Sequence, residues 1–158
     1  MKTMKTLVVY QSKNGTTKRF AEEIAKRVHK VHGSVSVKKL EETTPEDIQE
    51  CDMLFLGGRT AGKYIFGQKP DREWSEFVES MPAVKGKKVV LFTTYDVAAG
   101  KVFSHMKDQI KPKTYNVVGS MKSRNGKLDY FSAAVLKYAL NYRPVLVERS
   151  MSHLAEVS

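Results

Sequence analysis

The sequence predicts an α/β fold, a mostly parallel five-stranded sheet with helices on both faces. Two observations carry this. Apolar runs alternate with segments of helical period along the whole chain, and the central runs are apolar without interruption, as strands buried on both faces are. A third observation concerns function. Three segments that follow strands, 11–17, 58–70 and 94–101, are rich in glycine, hydroxyl and amide residues. They lie where open α/β sheets bind ligands, beyond the carboxyl ends of strands.

The elements follow in order. Thr6-Leu7-Val8-Val9-Tyr10 reads as a buried strand, and Phe20 to Val28 carries apolar residues at helical spacing. Ser34 to Leu40 alternates as a half-exposed strand does. Thr44 reads as a helix cap, with Pro45 in the first turn and Asp47 three positions after the cap. Asp52 to Gly58 is a continuous apolar strand ending in glycines. Residues 72–81 place Trp74, Phe77, Val78 and Met81 on one helical face, and Lys88 to Thr94 is the next central strand. Val102, Phe103, Met106 and Ile110 mark a helix that Pro112 ends. Thr114 to Ser120 reads as the fifth strand. Phe131, Val135, Tyr138 and Tyr142 read as the apolar face of a last helix. Residues 1–142 form one domain in this reading, and 143–158 a tail whose Val145-Leu146-Val147 suits an edge strand or a contact segment.

Composition narrows the classes. A chain of 158 residues is large enough for one proper core. No apolar run approaches the roughly 20 residues needed to span a bilayer, and the amino end is too short in apolar residues for a signal peptide. The only cysteine, Cys51, excludes an intramolecular disulfide and an all-cysteine metal site. The expected compartment is the cytoplasm. The net charge of +10 is uneven, since residues 101–158 hold ten lysines and arginines against four acids. Such a field can attract anionic membrane, acidic proteins or nucleic acid, the alternative being scattered solvated lysines, and the absence of a nucleic-acid motif disfavours nucleic acid.

The first loop, Gln11-Ser12-Lys13-Asn14-Gly15-Thr16-Thr17, joins a strand's carboxyl end to a helix's amino end. Free backbone N–H groups and the helix dipole favour negative charge there. It has neither Gly-x-Gly-x-x-Gly nor a Walker pattern, which disfavours dinucleotides and triphosphates. Neutral donors on Ser12, Asn14, Thr16 and Thr17 suit a phosphate monoester. The alternative is a helix start whose hydroxyls satisfy its own backbone. Cys51 and Arg59 are too far apart for a Cys-x5-Arg anion loop, and the four histidines show no ligand spacing.

The loop resembles the phosphate-binding loop of the flavodoxin family, Thr/Ser-x-Thr-Gly-x-Thr, with Asn14 replacing the second hydroxyl residue. The likeness runs from about residue 5 to residue 141 and implies a flavodoxin-like three-layer fold with strand order 2-1-3-4-5. It also implies noncovalent FMN. Its phosphate would lie on Ser12, Asn14, Gly15, Thr16 and Thr17, with Lys13 giving a backbone N–H while its side chain is solvated. Arg59, Thr60, Ala61, Gly62 and Lys63 would border the ring, Gly62 supplying the peptide that meets flavin N5 on reduction. Thr93, Thr94, Tyr95 and Asp96 would meet the ring from the third loop, with Tyr95 a stacking candidate and Gly100 allowing close backbone approach. For Tyr64, Phe66 and Tyr95 the alternative is packing beneath a loop.

The chain departs from the family in charge. Electron-carrying flavodoxins are acidic around the flavin, whereas this chain is basic, with Arg59 and Lys63 in the second loop. A cation about 6 Å from the fully reduced, anionic flavin stabilises it by roughly 2–3 kcal/mol at an effective dielectric near 20. The expectation is a higher potential for full reduction than acidic relatives have. The resemblance implies an electron carrier whose partners are redox proteins, acidic ones by charge. Its alternatives are a flavodoxin-like oxidoreductase acting on quinone or protoporphyrinogen, at a membrane surface in the quinone case, and a flavin-free binding domain of this fold.

Overall fold

The computed structural model describes residues 4–61 and 68–142. Strand β1 (Lys5–Tyr10) leads into helix α1 (Thr16–His32), then edge strand β2 (Ser34–Lys39), a short 3-10 turn and α2 (Pro45–Glu50). Strand β3 (Met53–Ala61), the two-residue β4 (Lys69–Pro70) and α3 (Arg72–Ser80) follow, then β5 (Lys88–Thr94), α4 (Val102–Ile110), β6 (Val117–Ser123) and α5 (Tyr130–Asn141).

The five long strands are parallel in the order β2-β1-β3-β5-β6. This is the expected 2-1-3-4-5 arrangement. The order reverses between β1 and β3, so the loops leaving those strands diverge to opposite faces and open a crevice between them. One sheet face is covered by α3 and α4 over Leu7, Val9, Leu54, Leu56 and Leu91, and the other by α1 and α5 over Val8, Phe55, Val90 and Phe92. Alternate residues of each central strand feed opposite layers, which is why both must be apolar. Trp74, Phe20, Phe55 and Phe92 are fully buried, each worth about 1.5–3 kcal/mol of transfer free energy.

Local signals account for most element ends. Thr44 Oγ1 accepts from Asp47 N–H at 3.2 Å and Asp47 Oδ2 accepts from Thr44 N–H at 3.0 Å, a reciprocal capping box behind Pro45. Gly33 closes α1 with φ +81°, its N–H donating to the His29 carbonyl. The buried Lys88 stands at the head of β5, and its ammonium donates to the carbonyls of Ala139 (2.8 Å), Leu140 (3.2 Å) and Tyr142 (3.1 Å). A cation thus satisfies the carbonyl end of α5 and ties it to the sheet.

Three expectations need correction. A sixth strand, β4, pairs antiparallel with an extension of β3, Thr60 opposite Pro70 and Ala61 opposite Lys69. Arg59, Thr60 and Ala61 are therefore strand residues rather than loop. The last strand begins at Val117 rather than Thr114, because Thr114 closes α4 through its N–H to the Ile110 carbonyl and its hydroxyl accepts from Asn116 N–H. In α5 the buried face is Ser132, Leu136, Ala139 and Leu140, while Phe131 and Tyr138 are 70% and 62% exposed. That helix is apolar nearly all round, so its period names no unique buried face. The tail 143–158 and residues Gly62, Lys63, Tyr64 and Phe66 lie outside the described residues.

Candidate functional site

The carboxyl ends of β1, β3, β5 and β6 bring the three loops to one edge of the sheet. The first loop is built around Gly15, whose φ of +89° only glycine adopts without strain and beside which no heavy atom would meet a Cβ. No side chain caps α1 through Gly15, and the first turn of α1 holds no acid. Within the loop, Ser12 Oγ accepts from Gly15 N–H at 3.0 Å and Asn14 Oδ1 accepts from Thr16 N–H at 3.2 Å. These oxygens therefore serve the loop itself, which is part of the alternative stated above. The Ser12 hydroxyl proton and the Asn14 amide protons remain as donors.

The third loop is coupled to the first through buried hydroxyls. Thr17 Oγ1 lies 2.5 Å from Thr94 Oγ1, joining the first turn of α1 to the end of β5. Thr93 Oγ1 donates to the Gly58 carbonyl at 2.8 Å and so takes its bond from Thr60 Oγ1, also at 2.8 Å. Thr17, Thr60, Thr93 and Thr94 are all buried. They set the spacing of the strand ends, and in the Thr17–Thr94 pair one hydroxyl proton is spent between the two.

Glutamine and aspartate side chains complete the framework. Gln11 Oε1 accepts from Arg59 N–H at 3.4 Å, and Gln11 N–H donates to the Gly57 carbonyl at 3.0 Å, fastening β1's exit to β3. A Cβ on Gly58 would come within 3.0 Å of the Trp74 ring, so glycine lets the strand pass close to α3. Gly100, with φ +52°, would meet Gln68 Oε1 at 2.5 Å, so its freedom serves packing on the buried Gln68. Asp71 Oδ2 stands 3.7 Å from Lys13 Nζ and 3.8 Å from Arg59 Nε. The Lys13 side chain is half exposed, as expected of a solvated lysine, and also faces Asp71, and Arg59 is a partnered cation rather than a free one. Gln11, Gln68 and Asp71 were not singled out from sequence. Their burial comes from elements far apart in the chain, and nothing in their local sequence marks it.

Of the remaining expected residues, Asp96 is exposed and Tyr95 is half-buried, packed against the apolar layer beneath α3 and α4. Gly62 and Lys63 fall outside the described residues. A cavity of about 570 Å³ lies beside the first loop between Gln11, Lys13, Leu40 and α3. Glu41, Glu73 and Glu76 line it, so a phosphate dianion is disfavoured there and favoured at the α1 side of the loop. On that side Lys18, Arg19, Arg124 and Lys127 are exposed, and Arg19 donates to the Asn125 carbonyl at 3.4 Å. Among the described residues no cluster of histidine, cysteine and acid side chains could hold a metal ion.

Residues 7–132 match the sequence model of the flavodoxin domain. The chain belongs to the flavodoxin family. It is 27% identical over 113 residues to flavodoxin from Megasphaera elsdenii, covering 72% of this chain and 81% of that protein. It is 30% identical over 95 residues to flavodoxin from Clostridium beijerinckii, covering 60% and 67%. In fold it is similar to the solution structure of two-electron reduced M. elsdenii flavodoxin, with a TM-score of 0.68 at 22% identity over 85% of this chain and 96% of that one. It is also similar to oxidised Flavodoxin 2 from Bacillus cereus, with a TM-score of 0.66 at 21% identity over 86% and 95%. Flavodoxin membership implies FMN as the cofactor. The described residues fit its phosphate, since the helix start, with no acid in its first turn, a glycine with open space beside it and the neutral Ser12 and Asn14 donors meet at one point without a carboxylate in the loop.

Proposed function

We propose that this flavodoxin-family chain is an FMN-binding electron-transfer protein. The family match across residues 7–132 carries the reading, and the phosphate-suited first loop supports it. FMN, when bound, supplies the uptake and release of electrons, and the protein's part is binding, orientation and electrostatics. Ser12 and Asn14 donate to the phosphate through their hydroxyl and amide protons, Thr16 through its half-buried hydroxyl, and Gly15 gives the backbone room. The paired threonines Thr17–Thr94 and Thr60–Thr93 hold the strand ends that frame the ring, so their loops need not reorganise when charge changes. Arg59, Thr60 and Ala61 border the ring from the β3 extension, with Gly62 and Lys63 next in sequence. Asp96 and Gly100 belong to the third loop, and Tyr95 supports that loop from beneath as packing.

The partner we assign is an acidic redox protein. The exposed cations Lys18, Arg19, Arg124 and Lys127 beside the phosphate loop support this, since such a rim steers an oppositely charged surface. We place the protein in the cytoplasm. No helix among the described residues is long and apolar enough to cross a membrane, and one buried cysteine is in keeping with a reducing compartment.

The experiment is direct. The purified protein should absorb at about 450 nm as oxidised flavins do and release FMN on denaturation. A colourless protein that also fails to take up added FMN would overturn the reading. Electron transfer only to protein partners, without turnover of quinone, separates a carrier from an oxidoreductase.

A further inference from the structure

Asp71 occupies the N-cap position of α3, where an aspartate ordinarily accepts a hydrogen bond from the first turn. It makes no such bond. Its carboxylate turns away from the helix, toward Lys13 of the first loop and Arg59 of the β3 extension, with Oδ2 within 3.8 Å of both cations. The residue is 6% exposed, and Oδ2 and Arg59 Nε are both buried without a hydrogen-bond partner among the described residues. Three segments distant in sequence thus converge on one carboxylate. Two of them carry the loops that would hold the flavin's phosphate and border its ring.

The carboxylate is buried while the Lys13 and Arg59 side chains are 50% and 34% exposed, so removing it leaves two partly solvated cations without their shared counter-charge. The three side chains together carry +1, and without the carboxylate they would carry +2. We propose that Asp71 is a positioning residue of the flavin site. It fixes the first loop to the β3 extension through Lys13 and Arg59, and it withholds one unit of positive charge from the bound flavin. This rests on the FMN reading. Its two effects are separable. Lost positioning weakens binding of oxidised and fully reduced FMN alike, and the unmasked charge attracts the phosphate of both alike, so only the added negative charge of the reduced ring moves the ratio of the two affinities.

The test measures dissociation constants of oxidised and anaerobically reduced FMN for the unmodified protein and for D71N, D71E, R59Q and the R59Q/D71N double variant. The urea midpoint of each flavin-free protein reports folding separately. D71N should shift the ratio of the two constants toward the reduced form by about threefold or more, less at high salt. R59Q should shift it the other way, D71E should restore it, and the D71N shift should shrink in the R59Q background. Unchanged constants for D71N, or a shift toward the oxidised form, would overturn the proposal, and equal weakening of both would overturn its charge-masking half. If D71N does not fold, D71S, which keeps a residue suited to the N-cap position while removing the carboxylate, takes its place with the same expected shift and the same contrary result. A protein that binds no FMN in either state overturns the functional reading as well, whereas unchanged constants in a protein that binds FMN overturn only this inference.

Discussion

The hydroxyl pair Thr17–Thr94 offers a quantitative check on how the site is framed. Both residues are buried, at 0% and 3% exposure, and their oxygens are 2.5 Å apart. Thr17→Val keeps the side chain's shape and removes one hydroxyl, leaving that of Thr94 buried without its partner. Stranding a buried polar group costs roughly 1–3 kcal/mol, whereas replacing both partners with apolar groups of like shape is nearly neutral. Each single valine substitution should therefore destabilise the flavin-free protein by about 1–2 kcal/mol, and the double variant by less than about 1 kcal/mol. With a urea slope of about 2 kcal/mol/M, each single change lowers the midpoint by roughly 0.5–1 M and the double change restores most of it. Urea unfolding followed by circular dichroism reads this as a double-mutant cycle. A double variant whose loss equals the sum of the singles would refute the reasoning, because it would mean that the two hydroxyls do not serve each other.

Three further outcomes follow from single residues. Gly57→Ala would set a Cβ 2.3 Å from the ring of Phe92, itself edge-on to Phe20 at 5.8 Å, so overpacking should cost about 1–3 kcal/mol or more in the same urea assay. The Cys51 thiol is buried, donates to the Ile48 carbonyl and is pushed by burial up to about 11, so a thiol reagent at pH 8 should label the native protein far more slowly than the urea-unfolded one. His32 is held below its ordinary pKa by burial first and by Lys88 second. The unfolded state then binds more protons than the native one in the window below the ordinary histidine value of about 6.5, so stability should fall as pH drops through it. In His32→Gln that histidine-dependent fall should be absent from the pH profile of the urea midpoint.

Much of the fold was legible locally. The uninterrupted apolar runs at Leu54 to Leu56 and Val89 to Phe92 mark strands buried on both faces, and Thr44, Pro45 and Asp47 form the expected cap. The loop at Ser12 to Thr16 carries its own signature, because a strand, a positive-φ glycine and a helix start follow one another in sequence. What failed was any question whose answer lies across the chain. Phe131 and Tyr138 faced solvent because α5 offers two apolar stripes, and only the approach of Gly119 to Val135 and the tie of Lys88 to its last carbonyls choose between them.

By itself the sequence determined the parallel α/β class, the strand order through its family likeness, and the place and chemistry of the first loop. These are set by period, capping and backbone conformation, which act over a few residues. Tertiary structure alone decided which polar side chains are buried and which charges are paired. Thr17 meets Thr94, Gln11 reaches Arg59, and Asp71 stands between Lys13 and Arg59. The physical reason is range. A hydrogen bond or ion pair between segments tens of residues apart leaves no period in the chain, and it forms only once the sheet brings their ends to one edge.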